Sequence, residues 1–503
     1  MDDAYHCLHD SINFMKGMPG LSVPRLTAFA VMSLIDTNIV TGNKSQLLDE
    51  ATELYRRELV KSNKDFLSED EYKKELKNVD LLEIPTKEKI NEYKSKALKE
   101  QEKKWEIMKK GFFELRNKYE EIILNSDANK VFGESNTFYE CYSQQEFIQL
   151  KKEAKTIKND PPLNQKKEWA KQLALVTNPE TIIAVVMSSE LGLNMFRTNA
   201  AIQVELNNLI ERGSVILLKN TKVLEVSKTE TFNLKLKIKH ENSTTFEDHV
   251  LSATQVVNCA GHEGKTFDLQ LEHKINWSID VKGVGIIQLN GDTFCRVPEV
   301  YFTQGKGMCH FGRHNNSIAG VNFTTPYVEA TYVKDGKVTF SSDQSISLNN
   351  SLKSFLETSI IDNTLLERTK RCIVGCNRFM PDFENNVTPL AYLPGALALV
   401  GDNLSSRSSK EVYISEYGYH AVNIIKGGGV VSAAMALVQK VEKYTNENCN
   451  NSHPTHFPKG SQSPFPQEFV LKYEEQKLEE KIKQLEKDLD SKDLAKAYHS
   501  YGK

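Results

Sequence analysis

The 503 residues contain no Cys-x-x-Cys pair, no Walker phosphate loop, no Gly-x-Ser-x-Gly nucleophile elbow and no apolar run of membrane length. Each absence removes a class of protein. The eight cysteines, at 7, 141, 259, 295, 309, 372, 376 and 449, are scattered along the chain, which reads as reduced intracellular thiols and not as a disulfide framework. The longest apolar runs, 181–187 and 391–400, fall well short of the roughly 20 residues that cross a bilayer, so no membrane association is expected. Charge of one sign is also lacking: 64 Lys and Arg face 67 Asp and Glu, a net charge of −3. No global positive field is available to hold nucleic acid. Residues 1–6 lack the basic and apolar regions of a secretory signal, and a cytoplasmic location is expected.

What is present suits a folded chain of two to four domains, at roughly 100–200 residues each. Hydrophobic residues make up 39% and charged residues 26%, a balance that leaves room for long solvated helices. Residues 1–195 read as mainly helical. Leu47, Leu48, Ala51, Leu54, Tyr55 and Leu59 recur at helical spacing, and Glu and Lys interleave along a second helix over 86–124. Asn159-Asp160-Pro161-Pro162 marks a turn.

Beyond residue 200 the pattern changes. A helix over 200–212 ends at Gly213, and 215–218, 223–226, 234–238 and 253–259 read as strands. Four further strands, 284–289, 300–303, 317–322 and 337–341, form an antiparallel meander turning at Asn290-Gly291-Asp292 and Lys334-Asp335-Gly336. A helical stripe follows over 351–360. A final αβ-like passage begins at 397–402 and ends in a helix over 430–444, after Gly427-Gly428-Gly429. Those glycines either expose amides to a phosphate at the helix N-terminus or serve as a hinge. The composition after 446 reads as a linker. The stretch 469–489, with Leu471, Leu478, Ile482, Leu485 and Leu489 at coiled-coil spacing, reads either as a partner-binding or self-associating helix or as a single packed or detached one. The segments are therefore 1–195, 196–264, 265–370 (the antiparallel part), 371–445 and 446–503.

His310 and His314 stand four apart, but alternation and glycines around them favour a strand or loop, so no metal site is expected. Cys372 and Cys376 read as core thiols.

Taken in order, several short motifs resemble one family. Val256-Val257-Asn258-Cys259-Ala260-Gly261, the 375–382 segment Gly-Cys-Asn-Arg-Phe-Met-Pro-Asp, Leu399-Val400-Gly401-Asp402 and the glycine-rich 427–434 start of the last helix resemble FAD-dependent oxidoreductases of the D-amino-acid oxidase-like family. The resemblance covers about 195–445. It implies a mixed α/β fold: a partial FAD/NAD(P)-binding Rossmann-like domain, an antiparallel-sheet substrate domain and added long helices. The family's opening strand, GxGxxG turn and helix have no counterpart before residue 200, and 1–16 resembles the helix that follows them.

By the same resemblance FAD is the expected cofactor, with Ala260, Gly261, Gly401, Asp402 and Gly428 as contacts. Asn377 stands where the family usually has a carboxylate-binding arginine, which leaves Arg378 and His310 as substrate-side expectations; no catalytic residue is assigned. The implied activity is oxidation of a small amine or hydroxyl-bearing substrate. The alternative is a non-catalytic remnant of the fold that acts in protein interaction.

Overall fold

The computed structural model describes residues 2–17, 22–32, 73, 87–123, 134–156, 159–193, 198, 202, 206–239, 245–304, 307–313, 317–324, 337–340, 354–356, 362–377, 379–400, 412–424 and 427–448. The fold is mixed α/β. In chain order, helix α1 (Asp2–Gly17) precedes strand β1 (Ser22–Met32) and the 37-residue helix α2 (Lys87–Ile123). Strand β2 (Tyr139–Ser143), helices α3 (Gln144–Glu153) and α4 (Lys166–Val176) and strand β3 (Ile182–Leu193) complete the first part. A meander of β4 (Thr221–Lys228), β5 (Phe232–Lys239) and β6 (Phe246–Ala253) follows, then β7 (Val256–Asn258) and α5 (Lys265–Gln270). The central strands are β8 (Trp277–Leu289), β9 (Glu299–Gln304), β10 (Gly307–Arg313), β11 (Ile318–Thr324) and β12 (Lys337–Phe340). Helix α6 (Asn363–Asn377), β13 (Val387–Val400), β14 (Val412–Glu416), β15 (Tyr419–Val422) and α7 (Val430–Asn448) close the described chain.

The central sheet runs β12-β8-β11-β10-β9-β1-β3-β2, with β13 along β8. Among the described residues only β1 and β9 pair in parallel within it. Alternation along β1 sends Leu26, Ala28, Ala30 and Met32 into the main core, with Phe147 of α3, Trp169 of α4 and Cys376 of α6. Each fully buried large apolar side chain there contributes roughly 1.5–3 kcal/mol. The opposite face meets α2, whose Phe112 lies 5.7 Å from Phe29 and 5.5 Å from Tyr139, ring centre to ring centre. Ser143 caps α3 by accepting from the Glu146 amide, and the Glu146 carboxylate accepts from the Ser143 amide in return.

The structure departs from the sequence reading at several points. Residues 1–195, read as mainly helical, supply β1, β2 and β3 to the central sheet. Ile182 to Met187 is buried almost throughout, and a continuous apolar run of that kind does not distinguish strand from buried helix. Residues 215–218, read as a strand, form an exposed loop with Ile216 85% accessible; Gly213, at φ +70, ends the preceding helix but no strand takes up the chain. The strand read over 253–259 is shorter, β7 at Val256–Asn258, because Ala253 ends β6 and the chain turns at Thr254-Gln255 to pass from one sheet to another. The segment from Gly375 begins as the end of α6, and Asn377 Oδ1 accepts from the Glu384 amide. Cys372 and Cys376 are buried as read.

Asp160 of the predicted turn pairs with Arg313 Nη2 at 3.2 Å and ties that turn to β10. The 47–59 helix, His314, the 334–336 turn and the 469–489 stretch lie outside the described residues, as does most of the 351–360 helix. No helix among the described residues is long and apolar enough to cross a membrane.

Candidate functional site

Two polar constellations stand out. The first forms where β7 and β15 run parallel, Val256 beside Tyr419 and Asn258 beside Ala421. Parallel neighbours end on the same side, so the chain leaving β7 at Cys259-Ala260-Gly261 and the chain leaving β15 at Asn423 depart together. The space beyond such strand ends is where open α/β sheets bind ligands. Asn423 is buried, and its Nδ2 donates to Ala398 O at 2.8 Å. That bond draws the last residues of β13 to the same end, and the 261–264 turn also packs on β13.

Beneath these exits lies a buried network. Asn258 Nδ2 faces Gly264 O at 2.9 Å, Asp268 Oδ1 at 3.1 Å and Tyr419 Oη at 2.7 Å. Tyr419 and Tyr413 donate to the two Asp268 oxygens at 2.6 and 2.8 Å. Burial raises the Asp268 carboxyl above its ordinary range, against the three hydrogen bonds that favour its ionised form. The network fixes the turn: a Cβ on Gly264 would lie 2.7 Å from Asn258 Oδ1.

The predicted contacts divide accordingly. Gly261 has φ +58, and a Cβ there would meet nothing within 4 Å. Gly428, in the 427–429 turn reached from β15, likewise has open space beside it. Ala260 is exposed, but its amide already donates to Asn258 Oδ1 at 3.1 Å. Gly401, Asp402 and Arg378 lie outside the described residues. Trp277, beside Val400 at the start of β8, and Ser278, beside Leu399, are buried, and among the described residues Trp277 Nε1 and Ser278 Oγ have no hydrogen-bond partner. Trp277 and Ser278 are neighbours on one strand and face opposite sides of the sheet, so the open space beside Gly261 and Gly428 is what fits the close approach of a bound polar group. Asp10 of α1 accepts from Ser432 Oγ at 2.7 Å in the first turn of α7, so a carboxylate of the chain already stands beside that helix start.

The second constellation holds His310, on the α2-side face of the central sheet. His310 Nε2 lies 2.8 Å from Glu299 Oε1, Tyr301 Oη donates to the same oxygen at 3.1 Å, and Arg25 pairs with Glu299 Oε2. Burial alone would raise the Glu299 carboxyl; the His310 hydrogen bond and the Arg25 charge overturn this and hold it at about 2. Burial, then the Glu299 charge, pushes the Tyr301 phenol up. Among the described residues no group of three or more His, Cys, Asp or Glu could hold a metal ion.

Sequence reasoning missed Asn258, Asp268, Tyr413 and Asn423 at the first constellation and Arg25, Glu299 and Tyr301 at the second. A polar residue closing an apolar strand, as Asn258 closes Val256-Val257, was a usable signal. Arg25 and Glu299 lie 274 positions apart, and nothing local links them.

No protein-family model matches the chain, and no curated protein matches its sequence. Among solved structures it is similar to the glycerol-3-phosphate dehydrogenase from Bacillus halodurans complexed with FAD, at 15% identity and TM-score 0.38, over 55% of this chain and 48% of that one. It thus spans about half of that protein's length. It is also similar to glycine oxidase from Geobacillus kaustophilus, at 9% identity and TM-score 0.36 over 87% and 92% of the two chains. A third is L-amino acid deaminase from Proteus vulgaris, at 10% identity and TM-score 0.36 over 82% and 84%. At these scores none of the likenesses carries weight, and the chain's own residues must.

Proposed function

We propose that this chain is an FAD-dependent oxidoreductase acting on a small amine or hydroxyl-bearing substrate. The observation that supports it most is the convergence of three chain segments: the exits of β7 and β15 and, through the Asn423 bond to Ala398, the end of β13. Gly261 and Gly428 are open there. These groups would hold the dinucleotide. Bound flavin supplies the redox chemistry, and the protein orients substrate and sets the surrounding charge.

The test is uptake. FAD titrated into the purified chain should give a visible flavin band that stays with the protein on gel filtration, and a panel of small amines and alcohols should bleach it anaerobically. A chain that stays colourless sinks the reading. Asn423→Ala should weaken FAD binding about fivefold, the equivalent of one hydrogen bond near 1 kcal/mol. The remnant reading is favoured by one observation: the Asp10 carboxylate already occupies the start of α7, where a cofactor phosphate would otherwise be drawn. It predicts no uptake at any FAD concentration.

A further inference from the structure

Strand β6 forms one edge of the β4-β5-β6 meander and is exposed along nearly its whole length. Phe246 is 53%, Val250 67% and Leu251 47% accessible. Alternation sends Phe246 and Val250 to one side of the sheet and Leu251 to the other, so among the described residues neither face of the strand is covered. One strand inward, β5 alternates buried Phe232 and Leu236 with exposed Lys235 and Lys237. The meander rests on the body through Val226 and Phe232, which cluster with Tyr419 and Ala421; among the described residues no side chain of β6 joins that cluster. β6 overhangs the core.

The edge is also regular. Its residues pair with β5 without a bulge, from Phe246 opposite Lys239 to Ala253 opposite Phe232, whereas the β4–β5 ladder shifts register between Val223 and Glu225. β6 contains no proline, glycine or lysine, and among the described residues no strand pairs with its outer side. Bulges, prolines and edge lysines are the devices by which folded chains keep such edges from pairing. An edge without any of them offers a row of backbone amides and carbonyls to another strand.

The side chains select which strand. Residues directly opposite in an antiparallel pair lie on the same face, so two copies related by a two-fold axis must centre on a residue that faces itself. Centred on Val250, the pairing sets Val250 against its own copy, His249 against Leu251, Asp248 against Ser252 and Glu247 against Ala253. Neither acid meets an acid, and Glu247 has His249 of its own strand 3.4 Å away. Centring on His249, Asp248 or Glu247 would instead bring titratable groups of one kind face to face, which weakens a cross-strand pair.

We propose that β6 is a self-association edge: two copies of this chain pair antiparallel through it, centred on Val250, and join their three-stranded meanders into a single continuous sheet. A two-fold contact of this kind uses the same surface on both copies and closes at the dimer. It involves no residue of either polar constellation and stands whether or not the chain binds FAD.

The test is the mass of the full chain in solution, read by light scattering on gel filtration over a concentration series. The parent should pass from monomer to dimer and go no further. Val250→Lys, which sets a charge against its own copy, should raise the dimer dissociation constant by at least about tenfold. Ile216→Lys, at an exposed apolar position off the edge, should leave it unchanged, and so should Ile482→Lys in the competing 469–489 stretch. Thermal melting checks that each variant is folded. Val250→Cys needs no loss of association: oxidised glutathione should convert it to a covalent dimer, and peptide mapping should find the new disulfide between two copies of position 250. A chain that stays monomeric at every concentration, species larger than a dimer, a dimer that survives Val250→Lys or is broken by Ile482→Lys, or no disulfide between the two copies of position 250 overturns the proposal.

Discussion

Glu299 carries Arg25 on one oxygen and His310 and Tyr301 on the other, at 10% side-chain exposure. Its folded pKa of about 2 lies below the ordinary 4.5, so its stabilisation is present above pH 4.5 and is lost as pH falls toward 2. The contribution is up to about 3 kcal/mol. Urea unfolding at neutral pH and near pH 3 should show a steeper loss in the parent than in Glu299→Gln, which has no carboxyl to titrate. Asp268 works in the opposite sense. Its raised pKa means that ionisation at neutral pH reduces stability, yet it is the acceptor for Tyr413, Tyr419 and Asn258. Asp268→Ala would strand those donors in the interior, and a loss of roughly 3 kcal/mol is expected, read as a lower melting temperature. Of all these residues only His310 was legible in the sequence. Its alternating, glycine-bearing surroundings marked a strand or loop, which is strand β10, but no local pattern records that Glu299 and Arg25 come to meet it.

At the scale of elements, β14 and β15 are joined by Tyr417 and Gly418, both at positive φ (50° and 85°), the conformation of a two-residue hairpin turn that matches strand twist. Gly418→Ala would place a Cβ 2.9 Å from the Tyr444 ring and 3.1 Å from Thr254 O in a backbone region closed to alanine. A destabilisation of roughly 2 kcal/mol is expected from the urea midpoint, with weakened FAD uptake because β15 leads to Asn423. The strands read at 223–226, 234–238 and 284–289 were legible because alternation or β-branched runs are bounded by turns, although β8 begins earlier, at Trp277. β3 was not, since it is buried on both faces and so loses the alternation that would mark it.

For the molecule as a whole, a ligand that binds only the folded chain raises its stability by mass action. FAD at about 100 times its Kd should add roughly 2.7 kcal/mol and shift the melting temperature upward, whereas a remnant that ignores FAD would melt unchanged. The two far parts of the chain meet, as Asp10 and Asn13 of α1 both bond Ser432 of α7, so this shift should report on the whole body. By itself the sequence determined the class of fold, the strand-rich middle and the short motifs ending β7 and opening α7, because these depend on residues within a few positions of one another. Only the tertiary structure decided that the ends of β7 and β15 share one side, that Asn423 draws β13 to them, and that Arg25 and Glu299 hold His310. Those are contacts between distant segments, and a sheet brings them together through register and burial, which no local run of residues encodes.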